Sequence, residues 1–160
     1  MRLLLIRHAD AGDRDDTLWP DDTERPLSER GRKRQARVAK RLRRQDLVPD
    51  LLLSSPWLRA WQTSGLTADI VRCDPPVACA ALATAPVLTA IDTAIGPTTG
   101  DRLVALVGHE PWLGELASQL LVGDTRLQVD FAKSAVLGLH VERLTPGSAT
   151  LEFFWRPKAR

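Results

Sequence analysis

Short, continuous runs of apolar residues recur along the chain and are separated by longer, partly polar segments. The clearest runs cover residues 3–6, 51–53 and 103–107. Runs of this length without alternation are typical of strands that are buried on both faces of a parallel sheet. We therefore expect these three segments to be neighbouring strands of one central sheet.

Helix signals follow each of these runs. Ser28 is a candidate N-cap, and the apolar face behind it is thin. Pro56 suits the first turn of a helix, because proline lacks the N–H group that a first turn leaves unpaired. The pattern predicts helices over about residues 28–45, 56–71 and 111–122.

The middle and the end of the chain carry weaker signals. Residues 77–82 are a candidate third strand, and residues 86–95 are a candidate short helix. Segments 135–142 and 149–155 read as two strands of a hairpin, with the turn at residues 145–148.

Alternation of strands and helices predicts an α/β fold. The expected architecture is a three-layer sandwich: a mostly parallel central sheet with helices on both faces. No internal repeat, low-complexity tract or linker interrupts the sequence. We expect a single domain over residues 1–160.

Composition narrows the possible classes of protein. A chain of 160 residues can form a core without disulfides, and its two cysteines, Cys73 and Cys79, are expected to be buried or half-buried thiols. Arg7 ends the first apolar run too early for a signal peptide, and no run approaches the length of a membrane span. The sequence favours a soluble, cytoplasmic protein without a membrane partner.

Basic residues are concentrated in the predicted helix over residues 28–45. This segment could be a solvated helix face, a docking face for a protein, or a nucleic-acid surface. The 20 acidic residues of the chain and the lack of a nucleic-acid motif argue against the last of these. The basic residues are Arg30, Arg32, Lys33, Arg34, Arg37, Lys40, Arg41, Arg43 and Arg44.

Polar side chains follow the three clearest strands at the point where each strand ends. Arg7 and His8 follow the first, Arg59 comes shortly after the second, and His109 follows the third. Ligands of open α/β sheets bind at the carboxyl ends of strands, and helix N-termini at the same edge favour anions. We expect these four side chains to converge around a phosphoryl group.

The chemistry of these residue types explains why a phosphoryl group is the expected ligand. A neutral imidazole at His8 can attack phosphorus with one ring nitrogen, while the other donates a hydrogen bond, expected to go to a backbone carbonyl. Arg7 and Arg59 would disfavour the imidazolium form of His8 and would hold phosphoryl oxygens. His109, if protonated, would add positive charge. The histidines lack metal-ligand spacing, so no metal is expected, and His140 is expected to be structural.

Four segments of this sequence together resemble the histidine phosphatase superfamily, also described as phosphoglycerate-mutase-like. Within that superfamily, the residues of segments 5–11 and 24–31 are more similar to the short phosphohistidine phosphatases. The resemblance covers nearly the whole chain. The segments are 5–11 (LIRHADA), 24–31 (ERPLSERG), 54–63 (SSPWLRAWQT) and 107–111 (VGHEP).

The resemblance implies a role for each residue of the predicted site. His8 would be the nucleophile that becomes phosphorylated, and Arg7, Arg59 and His109 would complete the pocket for a phosphate ion. It also implies a phosphoglycerate-mutase-like fold and a phosphatase that needs no metal or organic cofactor.

Two departures from the family pattern bear on the substrate. Ala9 replaces a glycine, and residues 80–86 lack the glutamate that many members use as a general acid. An imidazole leaving group needs less protonation than an alkoxide. This favours phosphohistidine on a protein of the histidine-phosphotransfer type, with a small-molecule phosphomonoesterase as the alternative. The other possible proton donors are Asp10, Asp21, Asp22 and Glu110.

Overall fold

The computed structural model describes residues 1–158, in which six strands form one sheet of order β3-β2-β4-β1-β5-β6. Strands β1 to β4 are mutually parallel, and β5 is antiparallel to both β1 and β6. The strands are β1 (Arg2–Arg7), β2 (Leu51–Ser54), β3 (Val77–Ala78), β4 (Leu103–Gly108), β5 (Val136–Val141) and β6 (Ala149–Trp155).

Within residues 1–158, four α-helices cover the two faces of this sheet. Residues of α1 and α2 share one apolar cluster with β1 and β4, and residues of α3 and α4 share the other. The predicted α/β sandwich with a mostly parallel sheet is thereby confirmed. The helices are α1 (Glu29–Arg44), α2 (Leu58–Val71), α3 (Leu88–Ile95) and α4 (Trp112–Val122).

Strand β1 holds the two layers together. Leu3 and Leu5 belong to the cluster under α3 and α4, whereas Leu4 and Ile6 belong to the cluster under α1 and α2. All four side chains are fully buried, and complete burial of such a side chain stabilises a fold by about 1.5–3 kcal/mol. The unbroken apolar run follows from this two-sided burial.

The structure corrects three of the predicted elements. The third strand is limited to Val77–Ala78, because β3 pairs with only the end of β2 and Ala80–Leu82 turns into a 3-10 helix. Helix α3 begins at Leu88 rather than at residue 86. Helix α2 begins at Leu58, so Pro56 lies outside it.

The expected state of the two cysteines agrees with the structure. Cys73 is half-buried and Cys79 is buried, and both are free thiols. Within residues 1–158, none of the helices has the length and apolar character that crossing a bilayer requires.

The N-terminus of α1 is attached to the chain segment that follows β1. The Ser28 hydroxyl accepts the N–H of Gly31 at 3.0 Å and donates to the Asp10 carboxylate at 2.6 Å. Ser28 is therefore the N-cap, as predicted. Gly31 faces the carbonyl of Asp10 so closely that a β-carbon there would clash with it.

We predict that Gly31→Ala lowers the free energy of unfolding by about 1–3 kcal/mol, the usual cost of overpacking. Glycine-to-alanine changes inside helices normally stabilise, by up to about 1 kcal/mol. Here the added methyl group has no room beside Asp10. Urea denaturation of the variant measures the change.

Gly65→Ala is the matched control. Gly65 lies inside α2, and nothing lies within 4 Å of a β-carbon added there. This variant should be more stable than the wild type by roughly 0.5–1 kcal/mol. A stabilising effect of Gly31→Ala would contradict the close approach.

Candidate active site

His8 lies immediately after β1 and is buried at the carboxyl edge of the sheet. Its backbone N–H donates to the carbonyl of Gly108, the last residue of β4, at 3.0 Å. Its ring Nδ1 lies 2.7 Å from the carbonyl oxygen of Ala9. A carbonyl only accepts, so Nδ1 carries the proton and Nε2 presents a lone pair. The expected backbone carbonyl partner is present.

Burial is the main cause of a His8 pKa well below its ordinary value. The positive charges of Arg59 and Arg7 lower it further. The imidazole is therefore neutral at physiological pH, and its unprotonated Nε2 accepts a hydrogen bond from the Nε–H of Arg59 at 3.4 Å. This is the protonation state that nucleophilic attack requires.

His109 follows β4, and its ring centroid lies 5.1 Å from that of His8. Its Nε2 is 2.7 Å from the hydroxyl oxygen of Ser55. Nδ1 is buried and has no hydrogen-bond partner among the described residues. A buried ring nitrogen without a partner is uncommon, and it can bond a ligand oxygen.

His109 would add positive charge only if it were protonated, and its surroundings disfavour the protonated form. Burial, followed by the charges of Arg59 and Arg7, lowers the pKa of His109 to about 3. His109 is therefore neutral near pH 7. An incoming phosphoryl dianion would raise this pKa, since it adds negative charge beside the ring.

Arg59 comes from the first turn of α2 and is nearly fully buried. Its Nη1 donates to the backbone carbonyl of Asp22 at 2.7 Å, and its Nη2 lies 3.2 Å from the Asp22 carboxylate. The guanidinium also lies 4.8 Å from the ring centroid of Trp57. Asp22 and Trp57 thus fix the arginine with its Nε directed at His8.

Arg7 is held differently. Its Nη1 donates to the carbonyl of Phe131 at 2.6 Å, and its Nε is buried without a hydrogen-bond partner among the described residues. The Glu110 carboxylate accepts the N–H of the same residue, Phe131, at 3.2 Å. Arg7 and Glu110 therefore bind the backbone of the same residue, Arg7 at its carbonyl oxygen and Glu110 at its N–H.

His8, Arg59 and His109 thus lie together at one edge of the sheet. Arg7 is near enough for its charge to lower the pKa values of both histidines. Sequence reasoning missed the residues that orient them. Ser55, Trp57 and Trp112 surround His109, with ring centroids 4.5 Å and 6.0 Å from it for the two tryptophans. Trp57 directly precedes α2, and Trp112 is the first residue of α4. Their position at helix starts after two of the central strands was the sequence signal that could have identified them.

The candidate proton donors differ in the direction of their pKa shifts. Hydrogen bonds from Lys133 and Ser28 outweigh the effect of burial and lower the pKa of Asp10 to about 2. Hydrogen bonds likewise lower the pKa values of Asp21, from Thr23, and of Asp22, from Arg25. Burial raises the pKa of Glu110.

The segment that follows β3 lies beside His109. Leu82, Thr84 and Pro86 line the same narrow cavity as His109 and Trp112. This segment carries no ionisable side chain between residues 80 and 86. No group of three or more potential metal-ligating side chains (His, Cys, Asp or Glu) occurs within residues 1–158.

Comparison with known proteins identifies a family that the chain matches. Residues 3–83 match the family model of the histidine phosphatase superfamily (branch 1). An uncharacterized protein of Picosynechococcus sp. is 34% identical over 141 residues, which cover 87% of this chain and 84% of that protein.

Two solved structures share the fold. The protein histidine phosphatase SixA, in complex with tungstate, superposes with a TM-score of 0.81 at 23% identity, covering 98% of this chain and 97% of that chain. A mycobacterial glucosyl-3-phosphoglycerate phosphatase, in complex with VO3, gives a TM-score of 0.69 at 18% identity, covering 98% and 99% respectively.

We predict that His109 makes stability depend on pH. As the pH falls below about 6.5, the unfolded chain binds a proton at this position and the folded protein does not, because its pKa is about 3. The free energy of unfolding should therefore fall with decreasing pH, by up to about 1.4 kcal/mol per pH unit for this group.

Urea denaturation between about pH 6 and pH 4 checks this prediction against the variant His109→Asn. In this window the lowered pKa values of Asp10 and Asp22 keep both carboxylates ionised. The variant should show the shallower slope. Equal slopes in the two proteins would mean that His109 titrates normally.

Proposed function

The chain belongs to the histidine phosphatase superfamily and is a phosphatase, and we propose that it hydrolyses phosphohistidine on a protein through a phosphorylated His8. One observation carries the proposal: His8 is held as a neutral ring whose unprotonated Nε2 accepts a hydrogen bond from Arg59, in a site without a carboxylate in the segment beside His109.

The proposed reaction has two steps. Nε2 of His8 attacks phosphorus, the P–N bond to the substrate imidazole breaks, and a new P–N bond forms at His8. The substrate ring, protonated on its other nitrogen, leaves as neutral imidazole. Water then attacks phospho-His8, which releases phosphate and regenerates His8.

Charge stabilisation falls to the groups around His8. In this proposal Arg7 and Arg59 donate to the equatorial oxygens of the phosphoryl group, as phosphoryl transfer requires. The unpartnered Nε of Arg7 and Nδ1 of His109 support this, because a phosphoryl oxygen would satisfy both. Ser55 orients the His109 ring through its hydrogen bond.

Proton donation distinguishes the proposed substrate from its alternative. Asp10, Asp21 and Asp22 are unsuited as general acids near pH 7, since their lowered pKa values leave them ionised, without a proton to donate. Glu110 has the raised pKa of a general acid, yet its carboxylate already accepts the N–H groups of Phe131 and Gly114. We assign it a structural role.

The second candidate function is hydrolysis of a small phosphomonoester. The fold shared with a glucosyl-3-phosphoglycerate phosphatase and the raised pKa of Glu110 favour this reading. It requires Glu110 to protonate an alkoxide leaving group. The two functions therefore differ in whether departure of the leaving group is assisted.

We further propose that residues 1–160 act as a single domain and that the protein works in the cytoplasm. One continuous sheet supports the first statement. The free thiols of Cys73 and Cys79 fit the reducing conditions of the second.

We predict that His8→Ala abolishes turnover of phosphohistidine, whereas the wild type traps a phosphoryl group on His8. Removal of the nucleophile leaves only the electrostatic groups of the site. Acid-labile, base-stable labelling of the wild type, located by mass spectrometry, is the measurement. His140→Ala is the control, because His140 is exposed on β5. Full activity in His8→Ala would rule out the mechanism.

We also predict that cleavage is sensitive to the leaving group. P–N bonds should be cleaved far faster than alkyl esters, and rates for substituted phenyl phosphates should depend steeply on the pKa of the phenol, because departure is unassisted. General acid catalysis typically contributes about 10²–10⁴-fold. Steady-state kcat/KM across the series is the measurement.

Glu110→Gln separates the two candidate functions in the same assay. Glutamine keeps the acceptor oxygen for the N–H of Phe131 but cannot donate a carboxyl proton. Under the proposed function the slope of the series stays unchanged. A flat series in the wild type that becomes steep in Glu110→Gln would favour the small-molecule phosphomonoesterase.

A further inference from the structure

A basic groove lies between α1 and the end of β6. It has a volume of about 290 Å³ and is lined by arginines of α1, by Trp155, and by Ser134 at one end. Arg37, Arg41 and Arg44 recur every three or four residues, so they lie along one side of the helix. The proposed reaction uses none of them.

Three arginines of this groove have no carboxylate beside them in the described part of the chain. Within residues 1–158, no carboxylate lies within 4.0 Å of Arg37, Arg41 or Arg44. Lys33, on another side of the same helix, is paired with Glu29. Clustered like charges repel one another, so this arrangement favours an anionic ligand.

Two features distinguish the groove from a simple solvated helix face. The Arg41 guanidinium lies 4.0 Å from the ring centroid of Trp155, which restricts the arginine before any ligand arrives. Ser134 is fully buried at a positive φ of 64°, and its hydroxyl has no hydrogen-bond partner among the described residues. An anionic group would satisfy that hydroxyl.

The groove begins beside the active site. The N–H of Ser134 lies 3.2 Å and 3.3 Å from the carbonyl oxygens of Arg7 and His8. Ile6, Val136 and Trp155 are aligned across β1, β5 and β6. Since β6 runs parallel to β1, Trp155 lies at the same edge of the sheet as His8. A ligand in the groove would therefore extend from the edge of the sheet where His8 lies.

We propose that this groove docks an acidic segment of the phosphoprotein substrate, an assignment that rests on the proposed function. Arg37 and Arg44 are seven positions apart, or about 10 Å along a helix. This span matches about three residues of extended peptide and exceeds one small anion. Successive carboxylates of a peptide fit it.

A nucleic acid fits the groove less well. Single-stranded nucleic acids are commonly held by stacking their bases on exposed aromatic rings. Phe153 already stacks on Trp155 with centroids 4.4 Å apart, and Arg41 covers the same indole. The groove thus offers guanidinium groups without a free stacking platform.

Charge reversal with a matched control tests the binding. Arg37→Glu/Arg41→Glu changes the groove, whereas Arg32→Glu/Lys40→Glu makes the same charge change at exposed positions of α1 outside it. The probe is a fluorescein-labelled oligoglutamate peptide, followed by anisotropy at low salt. The groove variant should bind at least about tenfold more weakly, and the control within about twofold of the wild type.

An equal loss in both double variants would overturn the proposal, since it would reflect general charge attraction. So would tighter binding of a labelled oligothymidine than of oligoglutamate, which would indicate a nucleic-acid surface. Competition by inorganic phosphate that removes all peptide binding would place the peptide in the catalytic pocket, with the same consequence.

Kinetics with the same variants separates this proposal from the proposed function. The substrates are a phosphorylated histidine-phosphotransfer protein and p-nitrophenyl phosphate. The groove variant should raise KM for the phosphoprotein by about tenfold and leave kcat/KM for the small ester unchanged. If the groove variant turns over the phosphoprotein with the wild-type KM, the docking proposal is overturned and the proposed function is not. Absence of phosphoprotein turnover in the wild type would overturn the proposed function, and docking with it.

Discussion

Parallel pairing of β1 with β4 is the constraint on which the rest of the site depends. Arg7 pairs with Gly108 at the end of the two strands, so the next residues, His8 and His109, emerge side by side. The backbone bond from His8 to Gly108 continues this register by one residue. A one-residue slip would turn the side chains of β1 to the other face of the sheet and would separate the histidines.

The resulting site concentrates positive charge and yet keeps both histidines neutral. Desolvation dominates both pKa values, and the nearby arginines act in the same direction. Asp22 supplies the opposing charge by bonding Arg59 through its carbonyl and its carboxylate. The arginine is therefore oriented in advance. In the proposed reaction a phosphoryl group would meet donors that need little rearrangement, which is how electrostatic stabilisation becomes effective.

Local patterns predicted those features that depend on few residues. The apolar runs identified the central strands, because a strand buried on both faces admits only apolar side chains, and Ser28 identified the start of α1. The short β3 and the turn at Ala80–Leu82 escaped prediction, because their conformation is set by pairing with the end of β2. The environment of His109 was also beyond local patterns: its neutrality comes from burial and from arginines distant in sequence.

Helix α1 combines three separate surfaces. Ala39 and Leu42 pack in the core, Gly31 contacts the segment after His8, and Arg37 and Arg41 line the groove. Their spacing explains why the apolar face is so thin: the helix needs only a narrow stripe to attach to the sheet, and its long basic side chains can cover further apolar surface with their aliphatic stems. The high charge of α1 is thus compatible with its place in the fold. Because Gly31 and Ser28 fix its first turn to Asp10, the orientation of the basic face is set by the same contacts that shape the loop beside His8.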